Sequence, residues 1–188
     1  MNSSDERIIF EDNFENKLAE GWSWLRENPD HWRIQNNGLE IRVVPGVADT
    51  VKNALLRPAP NRNDGIFAIE VTVTNYTHPI QQYEQAGITW YNNGNPIFKE
   101  VKELIDGDLY IIPGKQSMVT ESVRLRLVVS VDSWEAQYCP EDSTEFQTAA
   151  TGELPLPSDD QVSIQCYNGP EDAEHWIRFE NFQIKQLS

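Results

Sequence analysis

The sequence predicts an all-β chain folded as a two-sheet antiparallel sandwich, and three observations carry that prediction. Apolar and polar residues alternate with a period of two in segment after segment, most clearly in Val123-Arg124-Leu125-Arg126-Leu127-Val128-Val129. Such alternation sends successive side chains to opposite faces of a strand. Turn chemistry recurs every ~8–12 residues, with Asn-Gly or Asp-Gly supplying the positive φ angles of tight hairpins. No segment sustains the helical period, and no internal repeat or linker divides the chain. Roughly a dozen short strands of this kind make a sandwich or a barrel, with the sandwich favoured.

The stretch from Gln85 to Gly114 organises the rest. Gln85 to Tyr91, Pro96 to Ile105 and Asp108 to Pro113 form three strands of a meander, joined at Asn92-Asn93-Gly94-Asn95 and at Asp106-Gly107. Before it, Ile8 to Phe14 reads as an opening strand and Glu15 to Glu20 as a short helical turn. Trp22 to Glu27 is rich in large side chains and ends at Asn28-Pro29-Asp30. His31 to Ile34 turns through Asn36-Asn37-Gly38 into a strand with Leu39, Ile41 and Val43 inward and Glu40 and Arg42 outward. Pro45 to Lys52 is a loop, Asn53 to Arg57 a short strand, and Phe67 to Thr74 a clean alternation. After the meander, Val123 to Val131 and Trp134 to Cys139 form a hairpin. Pro140 to Asp160 is polar with one weak strand near Phe146. Val162, Ile164 and Cys166 then define another inward face. The last strand, Trp176 to Ile184, changes phase between Phe179 and Phe182, the mark of a bulge or of a strand switching partners.

At 188 residues the chain is read as one domain spanning 1–188. That is long enough to bury about 70% of its unfolded surface. A net charge of −15 and a pI near 4.5 argue against a nucleic-acid partner and against anionic membranes. No run approaches the ~20 apolar residues of a membrane span. The start, Met1 to Arg7, lacks the basic and apolar regions of a signal peptide. The chain as it stands is therefore expected to be cytoplasmic, or secreted if a leader has been trimmed. Two cysteines make neither a disulfide framework nor a zinc site. Cys166 reads as a buried, inert thiol, and whether it pairs with Cys139 stays open.

The segment Trp22-Ser23-Trp24-Leu25-Arg26-Glu27-Asn28-Pro29-Asp30-His31-Trp32, followed by Gly38-Leu39-Glu40-Ile41, resembles the N-terminal signature of concanavalin A-like β-sandwich domains. In particular it resembles the C-terminal accessory domain of family 43 β-xylosidases. Gln85 to Tyr91, Val123 to Leu127 and Arg178 to Ile184 fit in the same order. The chain is also similar to stand-alone proteins related to a fungal regulator of enolase. The resemblance runs from about Ile8 to Ile184. It implies a curved jelly roll of two antiparallel sheets and, for many relatives, a glycan on the concave face. It does not imply catalysis, because the fold hosts enzymes, lectins and structural modules alike.

Retaining glycosidases need two carboxyl groups ~5–5.5 Å apart across one bond. The nearest candidates here, Glu100 and Glu103, have odd spacing and so lie on opposite faces of a strand; they read as two solvated charges on an edge strand. His31, His78 and His175 are isolated from one another and from cysteine, which leaves no metal-ligand spacing. No nucleophile elbow or phosphate-cradling loop is present. No cofactor is expected. A structural calcium is the one metal to weigh, with Glu11-Asp12 and Glu180-Asn181 on neighbouring first and last strands as its oxygen donors.

Binding has more support than catalysis. Aromatic faces hold the C–H surfaces of sugars, and planar polar groups hold their hydroxyls. The polar side of the strands, assigned to the wider sheet, offers Gln85, Tyr91, Arg124, Arg126, Gln165 and Tyr167, with Trp22, Trp24 and Arg26 close by. The expected function is a non-catalytic carbohydrate-binding or accessory module. In it Trp22, Trp24, Tyr91 and Tyr167 stack on an oligosaccharide or polysaccharide while Arg26, Gln85, Arg124, Arg126 and Gln165 orient it. An intracellular protein-interaction module of the enolase-regulator type, with a protein partner, is the alternative. Glycoside hydrolysis ranks third.

Overall fold

The period-two alternation becomes fifteen strands in the computed structural model, which describes residues 6–188. Most of the polar opening that was read for an export signal lies outside the described residues; only Glu6 and Arg7 fall within them. The chain opens with β1 (Arg7–Asp12), β2 (Ser23–Leu25), β3 (Trp32–Gln35), β4 (Gly38–Val43) and β5 (Ala54–Pro58). Its middle holds β6 (Ile66–Asn75), β7 (Gln85–Asn92), β8 (Asn95–Ile105), β9 (Asp108–Ile112) and β10 (Gln116–Ser117). It closes with β11 (Ser122–Val129), β12 (Ser133–Pro140), β13 (Gln147–Glu153), β14 (Asp160–Tyr167) and β15 (His175–Leu187). Among the described residues no helix is long and apolar enough to cross a membrane.

Two antiparallel sheets face each other. Sheet I has eight strands in the order β13-β12-β11-β6-β15-β4-β3, with β1 also on β15; sheet II has seven, in the order β10-β9-β8-β7-β14-β5-β2. The inward residues read from alternation, among them Leu39, Ile41, Ile69, Val71, Leu125, Leu127, Val162 and Ile164, form one buried core, which Ile88 and Trp90 join. The phase change in the last strand is real and has both physical meanings. β15 pairs with β4 over His175–Phe179 and with β1 over Phe182–Gln186, and the register slips between Glu180 and Gln183, where Asn181 takes φ +51°.

The meander appears as β7, β8 and β9, with Asn93-Gly94 and Asp106-Gly107 at positive φ in its two turns. One local expectation fails. Glu15 to Glu20 forms no helical turn, because Asp12 captures the Phe14 and Ala19 amides and holds the segment as an irregular loop. The weak strand expected near Phe146 is present from Gln147 to Glu153, as an edge strand whose half-exposed face demands little alternation. Cys139 and Cys166 are both free and buried, and they lie on different sheets. Burial pushes the Cys166 thiol far up, as an inert thiol requires.

Candidate functional site

The outer face of sheet II is where polar side chains gather over a concavity. Pairing of β8, β7 and β14 sets three cross-strand rows there: Glu103, Gln85 and Tyr167; Val101, Gly87 and Gln165; Lys99, Thr89 and Ser163. Over them lies a cleft of about 620 Å3, floored by Gln85, Thr89, Lys99, Glu103 and Tyr167. Val47 and Ala48 of the loop after β4 flank it above β14. Ile97, Phe98, Ile112 and Pro113 flank it on the β8–β9 side, together with Trp134 from sheet I. The Phe98 and Trp134 rings stack with centroids 4.2 Å apart, so the two sheets build this aromatic wall jointly.

Hydrogen bonds join Gln85, Lys99 and Glu103 of the floor into one cluster. Lys99 Nζ donates to Gln85 Oε1 at 2.5 Å and to Glu103 Oε2 at 3.2 Å. Gln85 Nε2 donates to the Tyr83 carbonyl at 2.8 Å and to Glu103 Oε1 at 3.2 Å. The one cation and the one anion of the lining thus neutralise each other. Thr89 Oγ1 is buried without a hydrogen-bond partner. Lys99 Nζ also lies 5.9 Å from the centre of the Tyr167 ring. Burial, then the neighbouring Glu103, pushes the Tyr167 phenol far up, so it stays protonated as a donor.

Beside the cleft the same face is covered. Val51 and Ala48 pack on Tyr91, Tyr167, Leu56 and Leu25 in a small second core. Arg26 clamps this cover by donating from Nε to the Val51 carbonyl at 2.7 Å and from a terminal nitrogen to the Asp49 carbonyl at 2.8 Å. Beneath it, Tyr91 Oη and Ser163 Oγ both donate to Gln165 Oε1 at 2.9 Å.

The residues singled out in the sequence therefore do not converge. Gln85 and Tyr167 face the cleft. Tyr91 and Gln165 share its sheet face but are sealed under the loop, and Arg26 holds that loop down. Arg124 and Arg126 lie on the outer face of sheet I, across the whole sandwich, so the wider sheet does not carry the assembled polar set. There Arg126 pairs with Glu6 at 2.7 Å and Glu70 at 3.2 Å, and Arg124 lies over Phe146. Trp22 packs edge-on against Phe10 and Phe182, with its ring N–H on Asp12. Trp24 packs on Trp32 against the main core. Neither tryptophan presents a free face to a ligand in the cleft.

Glu100 and Glu103 do lie on opposite faces of β8, but they are not solvated charges, and β8 is an interior strand. Glu100 is fully buried between the sheets and Glu103 is 6% exposed in the cleft floor. Sequence reasoning missed Lys99, Thr89 and Trp134. The available signal was the Lys99-x-Val101-x-Glu103 alternation, which puts both charges on one strand face beside Gln85 once the hairpin register is set.

Calcium does not fit Glu11-Asp12. Asp12 Oδ1 accepts from the Phe14 amide, while Oδ2 accepts from the Ala19 amide and Trp22 Nε1, at 2.8–2.9 Å. The carboxylate already serves three N–H donors. Among the described residues no group of three His, Cys, Asp or Glu could hold a metal. His175 is instead buried against Glu84, with Nδ1 and Oε1 2.7 Å apart.

No protein-family profile and no curated protein sequence matches the chain. Solved structures do. The GH43 protein BlXynB from Bacillus licheniformis superposes with a TM-score of 0.72 at 20% identity, covering 94% of this chain and 39% of that one. A xylan β-1,4-xylosidase from Bacillus halodurans C-125 gives 0.71 at 13% identity over the same shares. The CBM2 module of the evolved Dit of Lactobacillus casei BL23 phage J-1 gives 0.55 at 9% identity and covers 98% of that chain. The chain thus spans about two-fifths of the length of the two bacterial proteins. At these identities the likeness speaks to the fold alone, a two-sheet β-sandwich, and it supports the resemblance to concanavalin A-like domains.

Proposed function

We propose that this chain is a non-catalytic carbohydrate-binding module whose ligand lies in the cleft on the outer face of sheet II. The observation that carries the reading is the cleft's make-up. A hydrogen-bonded trio of Gln85, Lys99 and Glu103, with Thr89 beside it, is set between aromatic and aliphatic flanks, in a volume suited to a small oligosaccharide. The sheet fixes the floor side chains, so little conformational freedom is lost on binding. The similar xylan β-1,4-xylosidase and CBM2 module support a carbohydrate setting for such a sandwich.

The cleft holds one carboxylate, Glu103, and it is paired with Lys99. Hydrolysis by an acid and a nucleophile needs a second carboxyl group across the scissile bond. The next carboxylate along the strand, Glu100, points into the core. Binding without turnover is the chemistry this arrangement supports.

The test is an oligosaccharide and polysaccharide binding screen on the wild type, Lys99→Ala, Gln85→Ala and the Arg124→Ala/Arg126→Ala pair. Binding should fall at least ten-fold in the first two variants and persist in the arginine pair, which lies on the opposite sheet. Folded wild-type protein that binds no glycan would remove the reading.

A further inference from the structure

The cleft is polar at its floor and at its Tyr83 and Asn168 end but apolar along its β8–β9 flank, and this bears on what kind of sugar enters it. Val47, Ile97, Phe98, Ile112, Pro113 and Trp134 present carbon to its interior. Most of the floor's hydrogen-bonding capacity is already in use. Gln85 has both ends engaged, and two of the Lys99 ammonium protons go to Gln85 and Glu103. What remains is the third proton of Lys99, the unpartnered Thr89 hydroxyl, the spare lone pairs of Glu103 and the Tyr167 phenol, with Asn168 beyond the end of β14. That set can satisfy one edge of one sugar ring.

A bare sugar carries a hydroxyl on nearly every ring carbon. Hydroxyls turned toward the flanks would lose water and gain no partner, which is unfavourable. An O-acyl group removes the hydroxyl donor and turns a methyl or alkyl group outward, matching carbon to carbon. A carboxylate-bearing sugar fits poorly, because the cleft's single cation is spent on Glu103 and the chain as a whole carries −15.

We infer that the cleft takes an uncharged, O-acylated sugar, its ring edge on the Lys99–Glu103–Thr89 floor and its acyl group against the Ile97–Ile112–Trp134 flank. This rests on the carbohydrate reading above and specifies the ligand class within it. Val47 and Ile97 are 53% and 40% exposed, so substitution there alters the flank without opening the core.

The experiment is calorimetric titration with xylotriose and mannotriose, each with and without O-acetyl groups, on the wild type, Ile97→Ser and Val47→Ser. The acetylated form of at least one sugar should bind the wild type ten-fold or more tightly than its deacetylated parent. Ile97→Ser should shrink that ratio to three-fold or less, while Val47→Ser, across the cleft from the acyl group, should leave it unchanged. Equal affinities, or a ratio that survives Ile97→Ser, would overturn the acyl assignment and leave the carbohydrate reading standing. Failure of every sugar to bind folded protein would overturn both.

Discussion

Glu100 and Glu103 leave the same strand in opposite directions, one into the core between the sheets and the other into the floor of the cleft. Glu103 is held by Lys99 and Gln85. Glu100 is not so provided for. The Arg126 and Gln137 backbone amides face its carboxyl, yet neither oxygen closes a hydrogen bond. Burial outweighs those amides and holds the Glu100 carboxyl well above its ordinary 4.5.

That placement fixes the sign of a pH effect. Below pH 4.5 the folded and unfolded states both keep the Glu100 proton. As pH rises past 4.5 the unfolded state releases it while the folded state does not, so stability is lost until the folded carboxyl also ionises. Glu100→Gln keeps the shape and removes the titration. It should be more stable than wild type at pH 7.5 by about 1–3 kcal/mol, with the gap closing below pH 4.5. Urea unfolding across that range reads this directly; a gap that does not vary with pH would refute it.

Arg62 is the opposite case, a buried charge with every reason to be there. It is 2% exposed. Its guanidinium donates to Asp160 at 2.8 Å and to the carbonyls of Ser130, Val131 and Pro155 at 3.0, 2.6 and 2.7 Å. This one side chain ties the β5–β6 connection to the β11–β12 turn and to the start of β14. Arg62→Ala should cost about 3–5 kcal/mol, because it strands Asp160 and three carbonyls. Arg62→Lys should recover less than half of that in chemical denaturation, since an ammonium cannot span the planar fork.

Arg62 also marks where the sequence stops being informative. It sits in a segment that reads as a polar turn, and nothing local distinguishes a solvated arginine from one folded inward. Alternation tells which residues share a face of one strand, and it located the core side of β4, β6, β11 and β14. It does not tell which sheet a strand joins. Arg124 and Arg126 share a periodicity with Gln85 and Gln165, but β11 pairs with β6 in sheet I while β7 and β14 pair in sheet II. Covering loops are equally silent. The loop Pro45 to Lys52 gave no sign that Val51 would seal Tyr91. The meander was legible because its two Gly-containing turns set the register by themselves.

Gly87 lies between Gln85 and Thr89 on β7, and its lack of a side chain is structural. A Cβ there would come within 2.2 Å of the Glu100 carbonyl oxygen and 2.8 Å of Val101 Cα, both backbone atoms of the adjacent strand. Neither can rotate away, so Gly87→Ala must push β7 from β8. A loss of about 2–3 kcal/mol is expected. Gly94 at the hairpin turn is the internal comparison. It has open space around it and only its φ of +75° to lose, so Gly94→Ala should cost about 1 kcal/mol. Thermal unfolding of the two variants should rank them in that order; equal effects would mean that the β7–β8 spacing is softer than drawn.

Asp12 separates a structural carboxylate from a metal ligand. Its two oxygens gather the Phe14 and Ala19 amides and the Trp22 ring N–H, fixing the irregular loop that leads into β2. Its charge is met by Arg57, whose guanidinium lies over the Phe10 and Trp22 rings and is drawn down to about 10 by burial, against the pull of Asp12. A calcium ion would have to displace three N–H donors and then sit beside a cation. Asp12→Asn keeps one acceptor oxygen but turns an NH2 toward N–H groups, and should cost about 1.5–3 kcal/mol. Millimolar calcium or a chelator should leave the wild-type Tm unchanged. A calcium-dependent rise in Tm that Asp12→Asn abolishes would show that the carboxylate can be recruited from its N–H donors after all.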